Sequence, residues 1–439
     1  MGTVETLMGR LAEVRPTRRF GTVSAVDTGA VRVLGLAHHA RLGDRVSIAL
    51  GDSGRREGEI VALSDREARA MMYEATDGIA IGADVELLPE REIRPDLSWT
   101  GRVIDAFGAP LDGGPLTPGP KAGTLRAAPP PAAGRRRLGA RVGTGLAAFD
   151  TMLPLARGQR IGIFAGSGVG KTSLLADLAR GVEADVVVFV LIGERGRELR
   201  DFVEDALGSE GLARSVVIAA TSDQSPLIKR RAAWLAMSVA ECFRDAGQHV
   251  LLIVDSISRF AEAHREVALT AGETPSLRAF PPSTAALIAG LAERAGPGPD
   301  REGMGDISAI FSVLVAGSDM EEPVADITRG ILDGHIILDR EIAERGRFPA
   351  IDVRRSVSRS LPGVAAEHEN ALIARARRVV ATYEQAAPMV QAGLYVAGSD
   401  PAVDEAITLW PKLDAFFSAR ASAPEAAFEK LEEILGSEA

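Results

Sequence analysis

The eight residues Ala165-Gly166-Ser167-Gly168-Val169-Gly170-Lys171-Thr172 constrain the fold more than any other stretch of the chain. They come directly after the apolar run RIGIF and open an amphipathic one. Gly166, Gly168 and Gly170 let the backbone curl until successive amide N–H groups converge on an anion, and a helix starting near Gly170 adds its positive end. Lys171 can then reach terminal phosphates, and the Thr172 hydroxyl can ligate Mg²⁺. Ala165 stands where the usual pattern has glycine, a small change that the turn accepts. A loop of this kind between a strand and a helix predicts a nucleotide held at the strand ends of an α/β core.

Other apolar runs fit the same core. DVVVFVLIG, SVVIAAT, HVLLIVD and ISAIFSVLVAG alternate with helical stretches, as expected of a parallel sheet covered on both faces. HVLLIVD ends in Asp255, where a carboxylate can hold Mg²⁺ through water. A helix cap is the plainer reading of such an Asp, but the phosphate loop upstream favours the metal. DVVVFVLIG runs into Glu194, a third group at the same edge and the natural candidate to polarise an attacking water. Its charged neighbours Arg195, Arg197 and Glu198 also allow a plain surface acid.

Around this core the chain changes character. Val4, Leu7, Met8, Leu11 and Val14 recur at helical spacing, giving a short amphipathic helix that either packs on the next domain or docks a partner. From Phe20 to about Glu90, the runs GTVSAV, AVRVLGL, RVSIAL and GEIVAL alternate with Gly and Asp turns, which predicts a small β-barrel. Tyr73 and Phe20 are its only Tyr, Trp or Phe, so the stacking platform of an oligonucleotide-binding barrel is missing. TGRVIDAFGAPLDGGPLTPGP and LRAAPPPAAGRRRLGARVGTG read as a long connection without compact regular structure, with Arg135, Arg136 and Arg137 on a solvated face. After about Glu367 the pattern is helical, and Phe428, Leu431, Ile434 and Leu435 share one face of the last helix. The expected division is a helix over 1–19, a barrel over 20–90, a nucleotide-binding core over 91–366 and a helical domain over 367–439.

The formal charge of −10 argues against a dedicated nucleic-acid binder. The single cysteine, Cys242, excludes an internal disulfide and reads as a small buried hydrophobe. Acidic Glu5 and the lack of an early apolar core exclude a secretion signal, and the apolar runs reach only strand length. A soluble, cytoplasmic protein is expected.

GSGVGKT, GERGREL, LLIVDSISRFAEAHREV, ILDGHIILDR, FPAID and SVSRS occur in an order and spacing that resemble the rotary-type ATPase family, which includes the catalytic β subunit of ATP synthase. Within it, RGQRIGIFAGSGVGKT and LDGHIILDREIAERGRFPAID look most like the flagellum-specific ATPases of the type III protein-export apparatus. The likeness spans nearly the whole chain and implies a small β-barrel, a central RecA-like phosphate-loop domain and a C-terminal helical domain. It implies ATP and Mg²⁺ as ligands, with Lys171 and Thr172 on phosphate and metal, Asp255 supporting the metal and Glu194 as general base. It implies that Arg195 helps couple the site to a neighbouring interface. Arg359 matches the arginine finger that completes a neighbour's site, although alone it reads as a surface ion pair. Phe348 matches the aromatic that stacks on adenine, where the family more often has Tyr. Thr274 and Phe280 replace the usual Pro and Tyr of a central-channel loop, and Asp400, Asp404 and Glu405 fall near an acidic lever segment while also reading as an N-capped helix.

One chain carrying both phosphate loop and finger can complete its own copies in a ring, so a homohexamer is expected. The resemblance implies ATP hydrolysis that energises flagellar export. It also implies a stator-like regulator on the N-terminal helix, a central coiled-coil stalk, the export gate, substrate–chaperone complexes, and peripheral association with the inner membrane at the flagellar base. Nucleic acid is not an expected partner. A virulence-type secretion ATPase is the nearest alternative. An RNA translocase of the termination-factor type is disfavoured by the acidic total and the aromatic-poor barrel, and a non-hydrolysing subunit by Glu194.

Overall fold

The computed structural model describes residues 17–51, 54–276, 279–315 and 319–436. The amphipathic helix expected over residues 1–19 falls almost wholly on residues 1–16, outside the described residues. The chain forms two compact units. One takes in residues up to Glu92 together with Gln224–Ile228 and Glu262–Pro281, and the other holds the remainder.

In the first unit, six antiparallel strands close a barrel: β1 (Phe20–Asp27), β2 (Ala30–Leu34), β3 (Arg45–Ala49), β4 (Arg55–Leu63), β5 (Glu67–Met72) and β6 (Asp84–Leu87), in the order β1-β2-β5-β4-β3-β6. Alternate residues turn inward, so Val23, Val31, Val33, Val46, Ile48, Ile60 and Val85 fill the interior. Four of these strands are legible as apolar alternations. β5 (EARAMM) and the four-residue β6 are not, since Ala, Glu and Met are poor strand formers and their place is set by ladder partners on both sides.

The second unit is built on an eight-stranded sheet ordered β16-β15-β10-β14-β13-β11-β12-β7. Its strands are β7 (Arg102–Asp105), β10 (Arg160–Ala165), β11 (Val186–Glu194), β12 (Ser215–Thr221), β13 (His249–Asp255), β14 (Asp306–Leu314), β15 (Gly334–Leu338) and β16 (Ile351–Ser358). A separate ribbon pairs β8 (Arg141–Val142) with β9 (Leu155–Ala156). All neighbours in the large sheet are parallel except the β15–β16 pair. β10, β11, β13 and β14 are buried almost throughout, as strands covered on both faces must be.

Two expectations for the Gly/Pro-rich connection are corrected. RVID within it is not irregular: it forms β7, the edge strand beside β12. Nor are Arg135 and Arg136 simply solvated. Arg135 donates to the carbonyls of Ala295 (3.1 Å) and Glu293, and Arg136 to those of Met304 (2.9 Å) and Gly305 (2.7 Å) and to Asp306 Oδ1 (2.8 Å). These guanidiniums fasten the connection to turn carbonyls that have no ladder partner.

Three helices complete the chain: Glu367–Gln391, Pro401–Phe417 and Pro424–Leu435. Phe428, Leu431 and Leu435 are buried, with Ile434 packed against the same core. Arg141 of β8 forks onto Glu369 (3.0 and 2.8 Å) and lies over the Phe428 ring at 4.9 Å, tying two of the helices to the nucleotide-loop unit.

Candidate active site

β10 delivers the chain to the phosphate loop and helix α1 (Lys171–Gly181) carries it away. Gly168 and Gly170 have φ of 78° and 84°, a left-handed backbone that a side chain would strain. A Cβ on Gly170 would also lie 3.0 Å from the Phe348 ring. No side chain caps α1, so its first amides are left for an anion.

The Lys171 ammonium reaches across to the Asp255 carboxylate and pairs with it. Asp255, at the end of β13, is 1% exposed and also accepts from Ser312 Oγ at 2.6 Å. β11 lies beside β13, with Leu191 opposite Asp255, and three residues later ends at Glu194. Thr172, Glu194, Glu198, Asp201, Phe202 and Asp255 line one pocket of about 220 Å³. Burial, most of all, pushes the Glu194 carboxyl up to about 7. A hydrogen bond with Glu198 and the charge of Asp255 add to the rise, and Lys171 opposes it. A carboxyl with that affinity gives up and takes back a proton near neutral pH, which suits acid–base work.

Lys171, Thr172, Asp255 and Glu194 are thus brought together at one edge of the sheet. Arg195 is not: its side chain is 81% exposed and pairs with Glu198 at 3.4 Å. Phe348 is half exposed and stands over the loop in a second pocket, of about 340 Å³, with Gly170, Ser173, Asp177, Ser418 and Arg420. Arg420 donates to Asp177 Oδ1 of α1 at 2.7 Å. Sequence patterns gave no signal for Ser418 or Arg420, which reach the loop only through packing of the C-terminal helices. Glu198 lies inside GERGREL, where nothing local distinguishes it from the other charged residues.

Arg359 lies elsewhere. β16 runs against the other strands, so Ser358 faces Gly334 at the start of β15, whereas Ala165 faces Leu338 at its end. The two edges are separated by four strand steps, roughly 13 Å. Arg359 therefore sits at the edge opposite the phosphate loop, exposed and without a carboxylate partner among the described residues. Asp400, Asp404 and Glu405 are spent locally. Asp400 accepts from Ala402 N (2.9 Å), Asp404 from Gly398 N (2.8 Å), and Glu405 pairs with Arg375 (2.9 Å).

No cluster of three or more His, Cys, Asp or Glu among the described residues forms a self-sufficient metal cage. No described helix is long and apolar enough to cross a membrane. Cys242 is half-buried, its thiol pushed up by burial.

Comparison with known proteins gives a consistent answer. The family model for the ATP synthase alpha/beta family, nucleotide-binding domain, matches residues 145–358, and that for the beta-barrel domain of the same family matches 17–88. Residues 364–433 match the T3SS EscN ATPase C-terminal domain. The chain is 43% identical to the Flagellum-specific ATP synthase of Caulobacter vibrioides, over 99% of this chain and 100% of the relative. It is 40% identical to that of Salmonella typhimurium, over 82% and 80%, and 41% identical to the SPI-2 type 3 secretion system ATPase of the same organism, over 87% and 88%. The assembled ATPase EscN of the enteropathogenic E. coli type III secretion system superposes with a TM-score of 0.86 at 35% identity, covering 95% of this chain and 100% of that one. The same ATPase in complex with its central stalk EscO gives 0.84, at the same identity and coverage.

Proposed function

The chain belongs to the ATP synthase alpha/beta family, in its branch of flagellar and type III secretion ATPases, and on that premise we propose that it is a homohexameric ring ATPase that energises flagellar protein export. In this reading ATP lies along the phosphate loop, with adenine against Phe348 and the terminal phosphates at Lys171. Lys171 exchanges its partner Asp255 for phosphate oxygens, so the ammonium is never left unpaired in a buried site. The freed Asp255 carboxylate, held in place by Ser312, and the Thr172 hydroxyl are the groups suited to Mg²⁺, whose water shell needs only such a pair plus phosphate oxygens. The cation would supply charge neutralisation on the phosphates. Glu194 orients and polarises the attacking water, and Arg359 of an adjacent copy stabilises charge on the transferred group. Arg195, exposed beside Glu194, fits a contact with that neighbour.

The observation that carries this reading is the separation of Lys171, Thr172, Asp255 and Glu194 at one sheet edge from Arg359 at the other. A finger that cannot serve its own loop calls for a second copy. The proposed partners are a central stalk, as EscN has in EscO, together with a regulator on residues 1–19, the export gate and substrate–chaperone complexes. The proposed location is the cytoplasmic face of the inner membrane at the flagellar base. A virulence-type export role keeps the support of the 41% identical SPI-2 relative.

The test is ATP turnover per chain across a dilution series of the purified protein. Specific activity is expected to rise steeply with concentration and to vanish in Glu194→Gln. A rate independent of concentration would place the whole site in one chain and remove the role given to Arg359.

A further inference from the structure

Strand alternation turns Ser356, Ser358 and Ser360 inward, all buried, while Val357 and Arg359 turn outward. An inward serine on an edge strand needs a partner, and these find an unusual set. Ser358 Oγ donates to the Pro154 carbonyl at 2.7 Å. Ser360 Oγ lies 3.0 Å from the same carbonyl and 2.9 Å from Ser358 Oγ, so its proton is shared between them. Gln159, at 0% exposure, completes the arrangement. Its Nε2 donates to Ser358 Oγ (2.9 Å) and to the Asp333 carbonyl (3.0 Å), and its Oε1 accepts from Ala156 N (2.8 Å). The Asp333 carbonyl also takes the backbone N–H of Arg359 at 2.9 Å. Asp333 is held in turn by the Arg160 guanidinium, at 3.1 Å to Oδ2.

Every anchor therefore converges on the backbone either side of one residue whose own side chain is exposed and has no carboxylate partner among the described residues. The two hydroxyls satisfy the Pro154 carbonyl, which an Ala or Val at either position would deprive of that donor, so part of the network's role is structural. The network also fixes the Cα of Arg359. A long side chain stabilising a short-lived charge pattern needs a fixed root, because displacement of a catalytic group by about 1 Å can cost on the order of 100-fold.

We infer that Gln159, Ser358 and Ser360 form a clamp on the Pro154 and Asp333 carbonyls that sets the position of Arg359, making them positioning residues for the reaction in the neighbouring site. This rests on the finger role given to Arg359 under the proposed function. Gln159 immediately precedes β10, whose far end is the phosphate loop, so a single strand joins each chain's own loop to the clamp of the finger it lends.

Rings mixed from two full-length chains separate this role from general stability. One chain carries Glu194→Gln and so lends only its finger; the other carries Arg359→Ala and so lends only its Glu194. Adding Ser358→Ala with Ser360→Ala to the finger-lending chain is expected to lower the restored turnover roughly tenfold. The same pair added to the Glu194-lending chain is expected to leave it unchanged, and the KM for ATP is expected to stay the same in both. Equal loss on either chain, or loss on neither, overturns the clamp while leaving the finger standing. No restored turnover in the unmodified mixture overturns the finger and the clamp with it. Should the double variant melt early, Ser360→Ala alone, which leaves Gln159 and Ser358 paired, is expected to show the same one-sided effect in smaller degree.

Discussion

At Glu194, burial and two neighbouring carboxyls oppose ionisation, and the group sits at about 7 before nucleotide arrives. A base works only when deprotonated. The kcat/KM for ATP is therefore expected to rise about tenfold per pH unit below 7 and to level off above it, reporting the free enzyme. The sign for stability is the opposite. A carboxyl raised above its unfolded value contributes stability at low pH that is lost as pH rises through 7, so its charge destabilises the fold at pH 8. Glu194→Gln removes that charge, and its melting temperature at pH 8 is expected to be no lower than the parent's even though turnover is gone. A clear drop in melting temperature would contradict that environment. Lys171, Thr172, Asp255 and Glu194 were legible in the sequence because each begins or ends an element whose pattern is local. Ser312, Ser418 and Arg420 were not, because only folding brings them to the loop, and nothing near them in sequence marks the encounter.

The strands and helices show where local pattern fails. β7 was hidden in a Gly/Pro-rich connection, and its identity comes from β12, which offers an open edge to whatever lies beside it. β16 was hidden by charge, as Asp352, Arg354 and Arg355 break up its apolar pattern and the two adjacent arginines both face outward. Arg135 and Arg136 read as solvated because sequence does not show which turn carbonyls lack partners. By contrast, the last helix was legible from its single apolar face. The helical elements are fastened to β8 by Arg141, whose fork to Glu369 is nearly out of solvent, with side chains 12% and 10% exposed. Removing one partner of a buried pair strands the other, so Arg141→Ala is expected to cost roughly 3 kcal/mol. Urea denaturation read by far-UV circular dichroism would show the midpoint shift. An unchanged midpoint would mean that the helices are held by apolar packing alone.

Over the whole molecule, one antiparallel strand among parallel ones decides the functional geometry. Had β16 run with its neighbours, Arg359 would emerge at the same edge as the phosphate loop and could serve its own site. Running against them, it emerges at the far edge, and under the proposed function the site is completed by another copy. No motif announces this, since SVSRS and the phosphate loop look the same in either arrangement; the likeness to the rotary family supplied the expectation, and the register supplies the physical reason. The most direct measurement mixes Glu194→Gln chains with Arg359→Ala chains, each inactive alone, in equal amounts under ring-forming conditions. Sites shared between neighbours combine an intact Glu194 from one chain with an intact Arg359 from the other in about one case in four, so turnover near a quarter of the parent's is expected. Turnover no greater than the sum of the two separate variants would mean that both residues must lie in the same chain, and the shared site would be wrong.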